Sequence, residues 1–142
     1  MLNDTDLLNH IHQTTEMGQR GIDMVMDYVE SASLRDALQQ QRTEYGSIYR
    51  TADTMLRSRN VQPEKLNAFA KLSTEISSSM QTMADHSESK IAEMMIQGNT
   101  KGMTKSIQCL NDYSGTSTEV KSLAQKLLKT EEANIKQMKA FL

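Results

Sequence analysis

Apolar residues recur at intervals of three and four along almost the whole chain, the mark of amphipathic helices rather than strands. The first stripe, Leu8, Ile11, Gly18, Ile22, Val25 and Val29, predicts a helix over about 4–29. Asn3 ahead of Asp4, Thr5 and Asp6 suits a capped, acidic first turn. After the break Ser31-Ala32-Ser33, where either serine can cap, the stripe Leu34, Leu38, Gln41, Tyr45, Ile48, Ala52 and Met55 predicts a second helix over about 34–59. The stop Asn60-Val61-Gln62-Pro63 follows, with Pro63 suited to the first helical position of the next segment.

That third segment, about 63–84, carries Leu66, Phe69, Ser73, Ile76, Met80 and Met83 on one face. Asp85 with Glu88 three residues later resembles a capping box and predicts a restart over about 86–113. The inward residues of this fourth helix are Ala92, Met95, Asn99, Gly102, Ser106, Cys109 and Tyr113. Gly115 is placed as a left-handed cap, and Thr116 to Thr118 offer caps for a fifth helix over about 117–141. Its stripe is Val120, Leu123, Leu127, Glu131, Asn134, Met138 and Phe141 or Leu142.

Four segments of about 25 residues span about 35–40 Å each. Short links pair the first two and the last two as hairpins. The expectation is one all-α domain over residues 1–142: an antiparallel four-helix bundle with an additional linker helix between the hairpins. In the first hairpin Tyr45 falls opposite Gly18, where a ring needs room, and Gln41 opposite Ile22. In the last, Glu131 falls near Gln97 and Gly98, within reach of Asn99.

Composition sharpens this picture in a few places. The chain has 142 residues, one proline, six glycines, eleven methionines and no tryptophan. Few breakers favour long helices, and methionine must fill a core poor in aromatic rings. A net charge of −2 gives no general reason to bind nucleic acid or an anionic membrane. A single cysteine, Cys109, leaves no internal disulfide and no cysteine metal cluster. No apolar run is long enough for a transmembrane helix, and no secretion signal is visible, so the expected location is cytoplasmic.

The informative positions are polar residues on apolar faces: Thr15, Gln41, Tyr45, Asn99, Glu131 and Asn134, with Glu44 flanking. A lone buried carboxylate is unfavourable unless bonded, paired, protonated or bound to a metal. Glu131 therefore needs a partner. The first reading is a structural hydrogen-bond network of Gln41, Tyr45, Asn99, Glu131 and Asn134; partial exposure is the second and a metal site the third.

The order of hairpin, linker helix and hairpin is similar to the ferritin-like superfamily. Leu7-Leu8, the mid-helix Gly18, Pro63-Glu64 and the run Ile91-Ala92-Glu93-Met94-Met95-Ile96-Gln97-Gly98 resemble small uncharacterised bacterial ferritin-like domains. Di-iron members of that superfamily place one inward Glu on each of two helices and Glu-x-x-His on each of the others. Here Asn134 stands where His should follow Glu131, and Ser47 where it should follow Glu44. Met95 takes the inward position near Glu93, Thr14 and Thr15 take it near Glu16, and no Glu-x-x-His occurs anywhere. A complete di-iron centre is not expected.

Other chemical signals are weaker. His10 and His12, two apart, cannot face the same way on a helix. His12 and Glu16, four apart, form a solvated flank pair or, as the sharper option, part of a weak metal site. The alternative metal set is thus Glu44, Glu131, His12 and Glu16, for Fe, Mn or Zn. Met80, Met83, Met94 and Met95 read as core filler before they read as soft-metal ligands. Gly98-x-x-x-Gly102 lets a neighbouring helix pack close. Cys109 lacks a basic activator. The first helix is acidic and the last is lysine-rich, which suits flanking helices or association between bundles.

Three functions compete on this basis. One is a non-enzymatic scaffold or interaction protein, partnered by its own copies or by another protein. The second is a metal-binding bundle with a degenerate carboxylate site. The third is a binding module whose groove beside the third segment accepts a partner helix.

Overall fold

A computed structural model describes residues 1–66, 69–82 and 87–142. The described residues form five helices and no strand: α1 (Asp4–Met26), α2 (Ala32–Ser58), α3 (Phe69–Thr82), α4 (Glu88–Asp112) and α5 (Thr118–Lys139). They pack as an all-α bundle, with no helix long and apolar enough to cross a membrane. The expected positions Met83, Ala84, Asp85 and His86 lie outside the described residues, as does the side chain of Phe69.

Local chemistry explains each end. Asn3 and Asp6 form a reciprocal capping box at α1. Ser31, Ser87 and Ser117 cap α2, α4 and α5 by accepting from the backbone three residues on. α2 closes through Asn60, whose φ of 59° is left-handed, with Val61 N–H bonded back to Leu56.

Two expectations at the ends are corrected. Pro63 does not open a helix. Residues 61–66 are non-helical, and α1 holds this stretch: Asn9 Oδ1 accepts from Glu64 N at 3.0 Å, and Gln13 Nε2 donates to Lys65 O at 3.3 Å. Gly115 is not a left-handed cap, because no glycine has positive φ among the described residues. Its missing side chain instead makes space for the Tyr113 hydroxyl bonded to Asp4, which a Cβ at this position would overlap.

The α1–α2 register follows the sequence expectation. Gly18 lies under Tyr45, Asp23 beside Arg42, and His12 beside Asp53, so the second helix retraces the first. A Cβ on Gly18 would lie 2.7–2.9 Å from the Tyr45 ring. α1 touches all four other helices, whereas α4 packs mainly on α5. The N-terminus fastens the two hairpins together at one end. Leu2 N donates to Asp112 O at 2.9 Å, and Ser114 N donates to Leu2 O at 2.8 Å.

The core is aliphatic, with Leu7, Leu8, Ile11, Ile22, Leu38, Ile48, Leu56 and Leu127 fully or almost fully buried. Within it the Tyr45 ring packs directly on Gly18. Gly18→Leu is expected to destabilise the protein by roughly 1–3 kcal/mol through overpacking. A lowered urea midpoint checks this, and an unchanged midpoint would contradict the Tyr45 contact.

Candidate functional site

All five residues of the expected polar network are buried, but they form separate links rather than one chain. Tyr45 Oη donates to Asn99 Oδ1 at 2.6 Å, and Asn99 Nδ2 donates to Met95 O at 2.8 Å. Gln41 turns to the other side and donates through Nε2 to Gln137 Oε1 at 2.8 Å, leaving its own Oε1 without a partner among the described residues. Asn134 approaches the Tyr45 oxygen and opposes the rise in that phenol's pKa. Its Nδ2 nevertheless completes no hydrogen bond among the described residues.

Glu131 is bonded elsewhere. It is 1% exposed, and its Oε1 accepts from Ser106 Oγ at 3.1 Å. The expected place near Gln97 and Gly98 is about one turn off: the carboxylate lies against Gly102, where a Cβ would overlap Oε2. Side chains on a helix lean toward its N-terminus. In the α4–α5 pair, that lean carries the Glu131 carboxylate toward the C-terminal part of α4, and so to Ser106.

Ser106 joins Glu131 to a residue the sequence left outside the network. His10 Nε2 lies 3.0 Å from Ser106 Oγ, and His10 Nδ1 lies 3.4 Å from Thr14 Oγ1. Ser106 has one proton and directs it at Glu131, so His10 supplies the proton of the second bond from Nε2. Burial, aided by the charge of Lys105, lowers the His10 pKa to about 4. The imidazole is therefore neutral at pH 7. Burial also pushes the Glu131 carboxyl up to about 7, with the Ser106 bond opposing. Burial and then the Glu131 charge raise the Tyr45 phenol.

The alternative metal residues do not meet. Glu44 is exposed on α2, away from the buried carboxylate of Glu131. His12 is not on a solvated flank but 4% exposed. Its Nε2 lies 3.0 Å from Asp53 Oδ1, and its ring lies 4.3 Å from that of Tyr49. Glu16 pairs with Arg20 at 2.8 Å instead of with His12. Asp53 is engaged by Arg57 as well, which is the main cause of its lowered pKa. Among the described residues no three His, Cys, Asp or Glu side chains converge as a metal site. His10 and His12 do face different ways, as helical phase requires. Both are bonded because α1 has partners on both sides.

A cleft of about 380 Å³ opens between α3 and α4 over α1. Met17 and Val25 of α1, Ile76 of α3, and Met94 and Met95 of α4 form its apolar walls. Tyr45, Asn99 and Glu131 reach it from below, and Glu75, Lys101 and Lys105 stand at its exposed edges. Gly21 and Gly98 line it, and a Cβ on either would meet nothing within 4 Å among the described residues. Cys109 lies outside it, its thiol pKa raised by burial, in a second cleft shared with His10.

The fold and this interior define an all-helical protein. More particularly, the fold is similar to the crystal structure of a DUF305 fragment from Deinococcus radiodurans, with a TM-score of 0.79. The match covers 99% of this chain and 95% of that one, at 13% sequence identity, and it speaks for the fold alone. No protein-family model and no curated protein matches the sequence.

The raised Glu131 pKa has a consequence for stability. The folded protein holds that proton more tightly than the unfolded chain, so ionisation opposes folding. The loss begins above pH 4.5, the ordinary value, and is complete above about pH 7. Relative to the parent protein, Glu131→Gln is expected to gain about 3 kcal/mol above pH 7 and little below pH 4.5. Urea denaturation across this range checks it, and parallel curves for the two proteins would place the carboxylate in water.

Proposed function

We propose that this chain is a non-enzymatic binding bundle that holds a small, largely apolar molecule in the cleft between α3 and α4. The observation that carries the reading is Gly21. It is buried in mid-helix with negative φ, and among the described residues no neighbour occupies the space a Cβ would take. Glycine in a helix interior is destabilising by about 1 kcal/mol relative to alanine. Gly18 has a packing reason, since Tyr45 covers it. Gly21 has none, and its effect is to widen the cleft, as Gly98 does from the opposite wall. A volume of this order, walled by apolar side chains with a few polar groups at one end, suits a small ligand.

The occupant of the binding-module groove beside the third segment thereby changes from a partner helix to a small ligand, because the cleft ends on buried polar groups. The order of helix contacts supports an antiparallel four-helix, ferritin-like arrangement with α3 laid against α1. Within that frame Glu131 serves the cleft instead of a di-iron centre. Ser106 and Asn134 stand beside it, and neither supplies the histidine ligand that such a centre requires.

Gly21→Ala is expected to raise stability by about 0.5–1 kcal/mol. Gly98→Leu is expected to block the cleft. Titration with n-octanol, followed through the methyl resonances of Val25 and Ile76, tests the reading: saturable shifts in the parent protein that disappear in Gly98→Leu support it. An absence of saturable shifts in the parent would sink it.

A further inference from the structure

We infer that the cleft is specific for an apolar primary amine, whose ammonium head is received at the floor by the Glu131 carboxylate. This rests on the ligand-binding reading above and adds the chemical class of the ligand.

At the floor the Tyr45 hydroxyl proton is used on Asn99, an Asn99 amide proton on the Met95 carbonyl, and the Ser106 proton on Glu131. Glu131 Oε1 is thereby occupied, but Oε2 receives no hydrogen bond from any described residue. It faces the gap left by the absent side chain of Gly102. An ionised carboxylate accepts several hydrogen bonds, and one neutral hydroxyl leaves most of that capacity unused. Asn134 Nδ2, an unused donor among the described residues, belongs to a side chain that does not line the cleft, so the groups that do line its floor are short of donors at Glu131 Oε2. A ligand that brings donors completes it, and an ammonium brings three together with the opposite charge.

Charge elsewhere does not supply the missing cation. Among the described residues no ion pair reaches Glu131. On α4, Lys101 and Lys105 are exposed at the cleft edge, and Glu75 of α3 is exposed there too. From α1, His10 is neutral at pH 7 and meets Glu131 only through Ser106. From α2, Tyr45 is held as the phenol. A carboxylate ligand would meet Glu131 as a like charge in a setting shielded from water. The walls take an alkyl chain, since Met17, Val25, Ile76, Met94 and Met95 offer it no polar side chain.

Three probes of equal chain length separate the contributions: n-octylamine, n-octanol and octanoate, each titrated into the intact protein at pH 7.5 by calorimetry. Octylamine is expected to bind at least about tenfold more tightly than octanol, the order of one charge-assisted contact, and octanoate most weakly. Glu131→Gln should bring octylamine down to the octanol affinity while leaving octanol within about twofold. Gly98→Leu should abolish all binding. Octylamine should also bind more weakly at pH 5.5, where Glu131 holds its proton. If octanol binds as well as octylamine, or Glu131→Gln leaves octylamine unchanged, the amine inference fails and the cleft remains a binding site. If no probe binds, or Gly98→Leu changes nothing, the cleft reading itself fails.

Discussion

The interior of this bundle is arranged around one carboxylate, Glu131, held by a single neutral donor. Removing a carboxylate from water is expensive, and a lone hydroxyl recovers only part of that loss. Several neighbouring features follow. Gly102 must lack a side chain, because the carboxylate occupies the space its Cβ would need. Ser106 directs its proton inward, which makes His10 the donor behind it, while burial and then the charge of Lys105 keep that imidazole neutral. Tyr45 feels the same charge and stays protonated, so its hydroxyl remains available to Asn99. One acidic side chain on α5 thus constrains residues on α1, α2 and α4.

α1 explains how so much polarity can be buried in hydrogen bonds. It touches every other helix, so a turn of α1 offers side chains to several neighbours at once. His10 bonds toward α4, His12 toward α2, and Asn9 reaches the stretch after Pro63. The His12 group contrasts with Glu131. There the carboxylate is Asp53, partly exposed and met by both an imidazole and a guanidinium. With its charge answered within the protein, that cluster reads as a fastening between α1 and α2. Glu131 has no such answer.

The fold was largely legible because apolar spacing reports which arc of a helix is covered. The stripe Leu8, Ile11, Ile22, Val25 and Val29 is buried, and the Gly18–Tyr45 pairing follows from hairpin register plus ring size. The buried polar set was legible for the same reason, since Gln41, Asn99, Glu131 and Asn134 stand at stripe positions. Their partners were not. Glu131 missed its expected neighbours by about a turn because side-chain lean adds to backbone register. His12 looked like a flank residue because a single stripe per helix assumes a single covered face, and α1 is covered more widely. Pro63 looked like a helix start because the preference at that position is local, whereas the Asn9 and Gln13 bonds that hold residues 61–66 come from another helix. The cleft had no sequence signal beyond its glycines. Register singles out Gly18, but Gly21, Gly98 and Gly102 look alike in sequence, and the structure separates the covered Gly102 from two that meet no neighbour among the described residues.

That separation bears on what the interior is for. Selection on stability alone readily removes helix-interior glycines with no steric duty and replaces buried acids with neutral isosteres. Here both defects occur at one place. Gly21 and Gly98 open a cleft, and Glu131 lies at its floor with acceptor capacity unused. Each feature is unfavourable for the empty protein, and each becomes favourable once an apolar molecule with a donor head fills the space. Local rules of folding fail most often where function overrides them, and in this chain two such failures, the uncovered helix-interior glycines and the under-bonded carboxylate, meet at one cleft. The His12–Asp53–Arg57 cluster, whose carboxylate is paired, lies elsewhere. The convergence, more than any single residue, is the physical argument for a ligand.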